Sequence, residues 1–165
     1  MHGSLTRAAH RCAAVSATLV LLTACAGSEE PIRAADAVAH YDEVATAIAA
    51  TAAPDAAWTF ADSTRHVAAD GSGTCLYTPG DWSMDSPLIS ADARSWDDVL
   101  GALGPSLEGY GFEPVDSTTE QQSRRVLETT DEHGATLQIT EDGTLRIHSA
   151  LVDADTCTDA TLGLS

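Results

Sequence analysis

Four cysteines, Cys12, Cys25, Cys75 and Cys157, are the side chains best suited to chemistry in this chain of 165 residues, and their spacing narrows what they can do. No two are three positions apart, so there is no Cys-x-x-Cys redox pair. Zinc needs three or four thiol or imidazole ligands, and no spaced His pair accompanies these thiols. Carboxylates and histidines do no better. Asp153, Asp155 and Asp159 sit as the ligands of a calcium loop would, yet the sixth position is Thr158 instead of Gly and the twelfth is Leu164 instead of Glu. A tethered acidic tail is the plainer reading. His40-Tyr41-Asp42 forms a catalytic trio in one dimension only, since Tyr41 belongs to the apolar stripe of a helix while its neighbours point elsewhere. His133 falls in a turn and His148 on a polar strand face, where solvated side chains belong; His66 has no assignable place. The chain lacks a Gly-x-Ser-x-Gly elbow and a phosphate-cradling glycine loop. Without lysine it can form neither a Ser-x-x-Lys dyad nor a Schiff base. No catalytic residue, metal or cofactor is expected.

Cys25 belongs to a different kind of signal. Leu22-Thr23-Ala24-Cys25 closes an apolar run from Ala13 to Ala24 that follows Arg7 and Arg11. A mostly apolar run of twelve residues is too short to span a bilayer but suits the h-region of a signal peptide. An aliphatic residue, two small ones and then Cys resembles the bacterial lipobox. That resemblance implies cleavage between Ala24 and Cys25 and a diacylglycerol on the Cys25 thiol, with palmitate-type chains in the membrane. The rival readings are an ordinary secretory signal cut after a small residue, or a chance Cys beside one. Loss of residues 1–24 leaves six Arg, no Lys and all 25 acidic residues, a net charge of −19. Such a surface excludes nucleic acid as a partner and is repelled by anionic lipid. Membrane residence must then come from covalent lipid, for which one chain is marginal and two suffice. The expected location is the extracytoplasmic face of the cell membrane.

Cys12 leaves with the leader and Cys25 takes the lipid, so Cys75 and Cys157 remain as an even pair in an oxidising compartment. A structural Cys75–Cys157 disulfide follows, worth about 4–5 kcal/mol by chain entropy for so long a loop.

The elements that must position these residues read as one α+β domain over residues 35–165, behind residues 25–34, which comprise the lipidated Cys25 and a flexible tether over residues 26–34. Nine flexible residues would reach about 17 Å. Val38, Tyr41, Val44, Ile48 and Ala52 recur at helical spacing, predicting a helix from Asp36 to Thr51 that Pro54 stops. Trp58 and Phe60 alternate as in a strand, with a returning strand over Thr74–Thr78. Residues 79–94, broken by Pro79, Gly80 and Pro87, read as an irregular loop. Ser95 and Asp98 form a capping box before Trp96, Val99, Leu100, Leu103 and Leu107, a second helix that Gly104-Pro105 should kink and Gly109 or Gly111 should end. Glu132-His133-Gly134 and Glu141-Asp142-Gly143 read as three-residue hairpin loops with Gly in the left-handed place. That register pairs Leu127 with Ile139, Thr129 with Leu137, Ile139 with Leu145 and Leu137 with Ile147, all on one face. Val126, Glu128, Thr136, Gln138, Thr140, Arg146 and His148 take the other. The fold expected is two helices packed on one face of an antiparallel β-meander.

The lipobox at Cys25, the N-terminal helix, the Cys75 segment running into Gly80-Asp81-Trp82, Trp96-Asp97-Asp98-Val99-Leu100 opening a helix and Gly111-Phe112 launching the meander together resemble the small actinobacterial cell-envelope lipoproteins of the LppA type. The resemblance covers most of residues 35–152. It implies an envelope lipoprotein with no established activity, and so no catalytic residues to carry over. The expected function is a membrane-anchored binding or interaction module for an envelope protein or small ligand. The alternative is an envelope hydrolase whose Asp/Glu pair only the fold assembles. Trp58 and Trp96 are expected in the core. Trp82, in the expected loop, is the large aromatic most open to a ligand or partner, although loop packing would also bury it.

Overall fold

The computed structural model describes residues 29–90 and 94–164, so Cys25 and the segment read above as a signal peptide lie outside the described residues. In chain order the elements are β1 (Ile32–Arg33), α1 (Ala34–Ala52), β2 (Trp58–Ala61), a 3-10 turn (Asp62–Thr64), β3 (His66–Ala69), β4 (Cys75–Thr78) and β5 (Gly80–Met84). Then come α2 (Trp96–Gly109), β6 (Thr119–Gln121), β7 (Arg124–Thr130), β8 (Thr136–Thr140), β9 (Thr144–His148), β10 (Ala150–Asp153) and a second 3-10 turn (Asp159–Leu162). The class is α+β.

Both helices follow from local chemistry. α1 buries Tyr41, Val44, Ala45, Ile48 and Ala52 at three- and four-residue steps, and it stops two residues before Pro54. α2 starts at the expected capping box: the Asp98 N–H donates to Ser95 Oγ while Asp98 Oδ2 accepts from the Ser95 N–H. It runs on through Pro105. Its end is a Schellman motif, with Gly111 at φ +78, its N–H on the Glu108 carbonyl and the Phe112 N–H reaching back to Leu107.

The meander has the register its hairpin glycines demand. Leu127 lies opposite Ile139, Thr129 opposite Leu137, Ile139 opposite Leu145 and Leu137 opposite Ile147. Gly134 and Gly143 carry φ of +75 and +88. Leu127, Leu137, Ile139, Leu145 and Ile147 are wholly buried. The other face is mostly wet, except for Val126, which is buried beside Thr119 of β6 and Thr140 of β8.

Four expectations change. The meander is part of a six-stranded sheet, β2-β5-β9-β8-β7-β6, and a second sheet, β1-β10-β4-β3, stands beside it. Residues 79–94 are not all loop, because Gly80–Met84 forms β5 between β2 and β9. β4 returns against β3, and β2 pairs with β5 instead of with β4. Finally, the described end of the tether is held down. Ile32 pairs with Val152 in parallel and is buried, and the Glu30 N–H donates to the Glu132 carbonyl at 2.9 Å. A buried apolar residue and a made backbone bond remove the freedom that composition alone suggested.

Cys75 and Cys157 form a disulfide. Cys75 shares the buried face of β4 with Tyr77, and the bridge fastens the segment after β10 to that strand. The acidic tail beyond it is packed: Asp159 Oδ1 accepts the Val67 N–H at 3.0 Å and Leu162 is buried.

Candidate functional site

The two sheets exchange strands at one seam. The chain passes from β4 to β5 through Pro79 and from β9 to β10 through Ser149, so consecutive strands belong to different sheets. These two crossings use the left-handed region, with Gly80 at φ +123 and Ser149 at φ +66, whereas the crossing from β2 to β3 runs through the 3-10 turn Asp62–Thr64. Gly80 has a second reason to lack a side chain, because a Cβ there would stand 2.8 Å from Phe60 Cε2 and 2.9 Å from Thr64 Oγ1.

Over this seam lies a polar hollow of about 440 Å³, with His66 and Thr78 on one side and Asp81, Arg146 and His148 on the other. Ser63 and Thr64, from the 3-10 turn, close its rim. Its groups are held in place by their neighbours. Arg146 grips Asp81 with two parallel bonds, Nε to Oδ1 at 2.8 Å and Nη2 to Oδ2 at 2.6 Å, which holds the guanidinium protonated above its ordinary range. His66 Nδ1 donates to the Thr64 carbonyl at 3.0 Å, which leaves Nε2 as the ring nitrogen open to the hollow. His148 Nδ1 lies 2.9 Å from the Ser149 hydroxyl. Burial, and then the Arg146 charge, push the His148 imidazolium below its usual pKa, with Glu128 and Asp81 pulling the other way.

A second cluster joins α1 to the β7–β8 turn. Tyr41 donates from its hydroxyl to Asp131 Oδ2 at 2.9 Å, and both residues are buried. Asp131 Oδ1 accepts the His133 and Ala135 N–H groups, so this carboxylate builds the turn. Burial raises the Asp131 pKa despite those donors, and burial beside Asp131 drives the Tyr41 hydroxyl far up. His40 sits 5.8 Å from the His133 ring, and its buried Nε2 has no partner among the described residues. Burial and the His133 charge lower its pKa. His133 Nδ1 lies 2.6 Å from the Glu30 carbonyl, so the turn also grips the N-terminal segment.

The residues singled out in the sequence are scattered differently. His40 and Asp42 diverge around α1 as expected; Asp42 forms an ion pair with Arg65. His133, read as a solvated turn residue, instead meets His40 and Glu30. His148 and His66, which had no assigned partners, converge at the seam. Trp58 is half-buried at the core's margin, whereas Trp96 is in the core. Trp82 is a strand residue, opposite Leu145 and 5.0 Å from the Phe60 ring, packed half-buried against the core. It lies on the sheet face away from Asp81 and the hollow. No known protein family, characterised protein or solved structure matches the chain.

Among the described residues, Asp131 is the one buried carboxylate, no three His, Cys, Asp or Glu side chains stand where they would share a metal ion, and no helix is long and apolar enough to cross a membrane. The seam escaped sequence reasoning because Asp81 and Arg146 are 65 positions apart and meet only through the β5–β9 pairing. The one signal for it was the alternation of Arg146 and His148 on a polar strand face.

Proposed function

We propose that this protein is a lipoprotein of the cell envelope, anchored on the extracytoplasmic face through acyl chains on Cys25, whose domain binds a ligand or partner without catalysing a reaction. The Leu22-Thr23-Ala24-Cys25 motif and the resemblance to LppA-type lipoproteins support the anchor. The seam hollow carries the binding half of the reading, being of small-molecule size and lined by polar groups held in fixed geometry. Asp131 is spent on Tyr41 and two backbone N–H groups, which favours a structural role over acid–base work. With lipid on Cys25 the domain would ride close to the membrane. Only five residue steps separate Cys25 from the bonded Glu30, at most roughly 18 Å of extended chain.

Cys25→Ala is expected to move the protein from the membrane fraction to the soluble fraction with its fold intact, because Cys25 precedes the first element, β1, by seven positions. The intact mass of detergent-extracted protein should correspond to a chain starting at Cys25 plus a diacylglycerol-sized addition. An unmodified N-terminus there would overturn the anchor.

A further inference from the structure

We infer that the seam hollow is an oxyanion site, taking the phosphate or carboxylate group of a soluble small molecule on His66, His148 and Arg146. This deepens the binding-module reading and rests on it. Hydrogen-bond accounting leads to the chemical class. Arg146 spends Nε and Nη2 on Asp81, while its Nη1 has no partner among the described residues. His66 spends Nδ1 on the Thr64 carbonyl and His148 places Nδ1 against Ser149, so each ring keeps Nε2 for a ligand. The Ser63 and Thr78 side-chain hydroxyls are likewise without partners among the described residues and can donate. Arg146 Nη1 and the two hydroxyls are donors as they stand, and an imidazole Nε2 becomes one when it carries a proton.

Charge points the same way. In a chain with 25 acidic residues and 8 Arg, this hollow gathers one arginine and two of the four histidines of the described residues. Its one acid, Asp81, has both oxygens on Arg146, so it is not free for a cation; the two charges largely offset each other, and Arg146 serves the site through its remaining N–H donors. A sugar would want an aromatic platform, and Trp82 faces the other side of the sheet. A phospholipid headgroup offers the same phosphate, but even at tether range the acidic surface disfavours contact with anionic headgroups, which favours the soluble source. Protonated His66 and His148 turn Nε2 into a charged donor. The charged groups facing His148 are Arg146 on its own strand, Glu128 on β7 and Asp81 on β5; those sharing the hollow with His66 are Asp81 and Arg146.

The test is calorimetric titration of the full-length protein, extracted in a neutral detergent, with sulfate, whose charge is constant across the range used. Saturable binding about tenfold tighter at pH 6 than at pH 8 is expected, a charge-assisted bond replacing a neutral one. His148→Gln should flatten that pH dependence, His66→Gln should weaken binding by removing a contact, and glycerol phosphate should compete. Neither substitution empties the core, and circular dichroism confirms the fold. Absence of saturable sulfate or acetate binding at pH 6, or binding unchanged in the double variant, overturns the inference. Competition by phosphatidylglycerol vesicles but not by glycerol phosphate overturns the soluble source. Glucose shifting the His66 and His148 ring resonances while sulfate leaves them unmoved overturns the oxyanion class yet keeps a binding module. The anchor is judged separately by the Cys25→Ala fractionation.

Discussion

At the scale of single residues, Tyr41 and Asp131 make the contact on which most depends. The hydroxyl satisfies one carboxylate oxygen and the turn backbone satisfies the other. Tyr41→Phe would strand Asp131 Oδ2 in the interior and should cost about 2 kcal/mol in urea unfolding. Asp131→Asn keeps an acceptor for the turn and removes a charge that burial disfavours, so at neutral pH it should be near neutral in effect; the same titrations decide. Histidines set the response to acid. The pKa values of His40 and His148 both lie below the ordinary histidine value of 6.5, so the unfolded chain takes up these protons first. Their contribution to stability is complete above about pH 6.5 and is lost as the pH falls through their lowered folded values. Thermal melts from pH 7.5 down to pH 5 should show falling stability, and His40→Asn should flatten the fall. An unchanged slope would remove His40 from this role.

At the scale of elements, what was legible was whatever repeats over a few residues. Period two with a glycine-closed loop set the meander's register, and Ser95 with Asp98 marked the start of α2. β5 was misjudged because Pro79 and Gly80 are turn residues by composition, yet here they steer the chain from one sheet into the other. Gly80 is the position to test. Gly80→Ala must take φ +123 with a Cβ and also displace Phe60 and Thr64, so it should cost more than about 1 kcal/mol by chemical denaturation. Gly71, whose Cβ would meet nothing, provides the control. Equal effects at the two positions would mean that the crossing is not sterically constrained.

At the scale of the whole molecule, the disulfide and the N-terminal clamp act at one side of the smaller sheet. β10 lies between β1 and β4, and the bridge from Cys75 to Cys157 spans 82 positions just beyond it. Replacing the pair with Cys75→Ser and Cys157→Ser should lower stability by up to about 4–5 kcal/mol. Hydrogen exchange should accelerate first beyond Val152, where Leu162 and Asp159 lose their tether. Uniform acceleration across both sheets would show instead that the bridge supports the entire fold. Membrane attachment should not change, since it is proposed to depend on Cys25 alone.

Local sequence determined the helices, their ends, the meander and its faces, because each rests on a periodicity or a cap that a few neighbouring residues define. Cysteine number, with the reading of the apolar run before Cys25 as a leader, was enough to pair Cys75 with Cys157 by elimination. Only tertiary structure brought Asp81 to Arg146, His66 toward His148, His40 to His133 and Tyr41 to Asp131, the last pair 90 positions apart. Such meetings depend on which strands pair and where the chain changes sheets. Hydrophobic burial drives that choice across the entire core, and no short window of residues contains it.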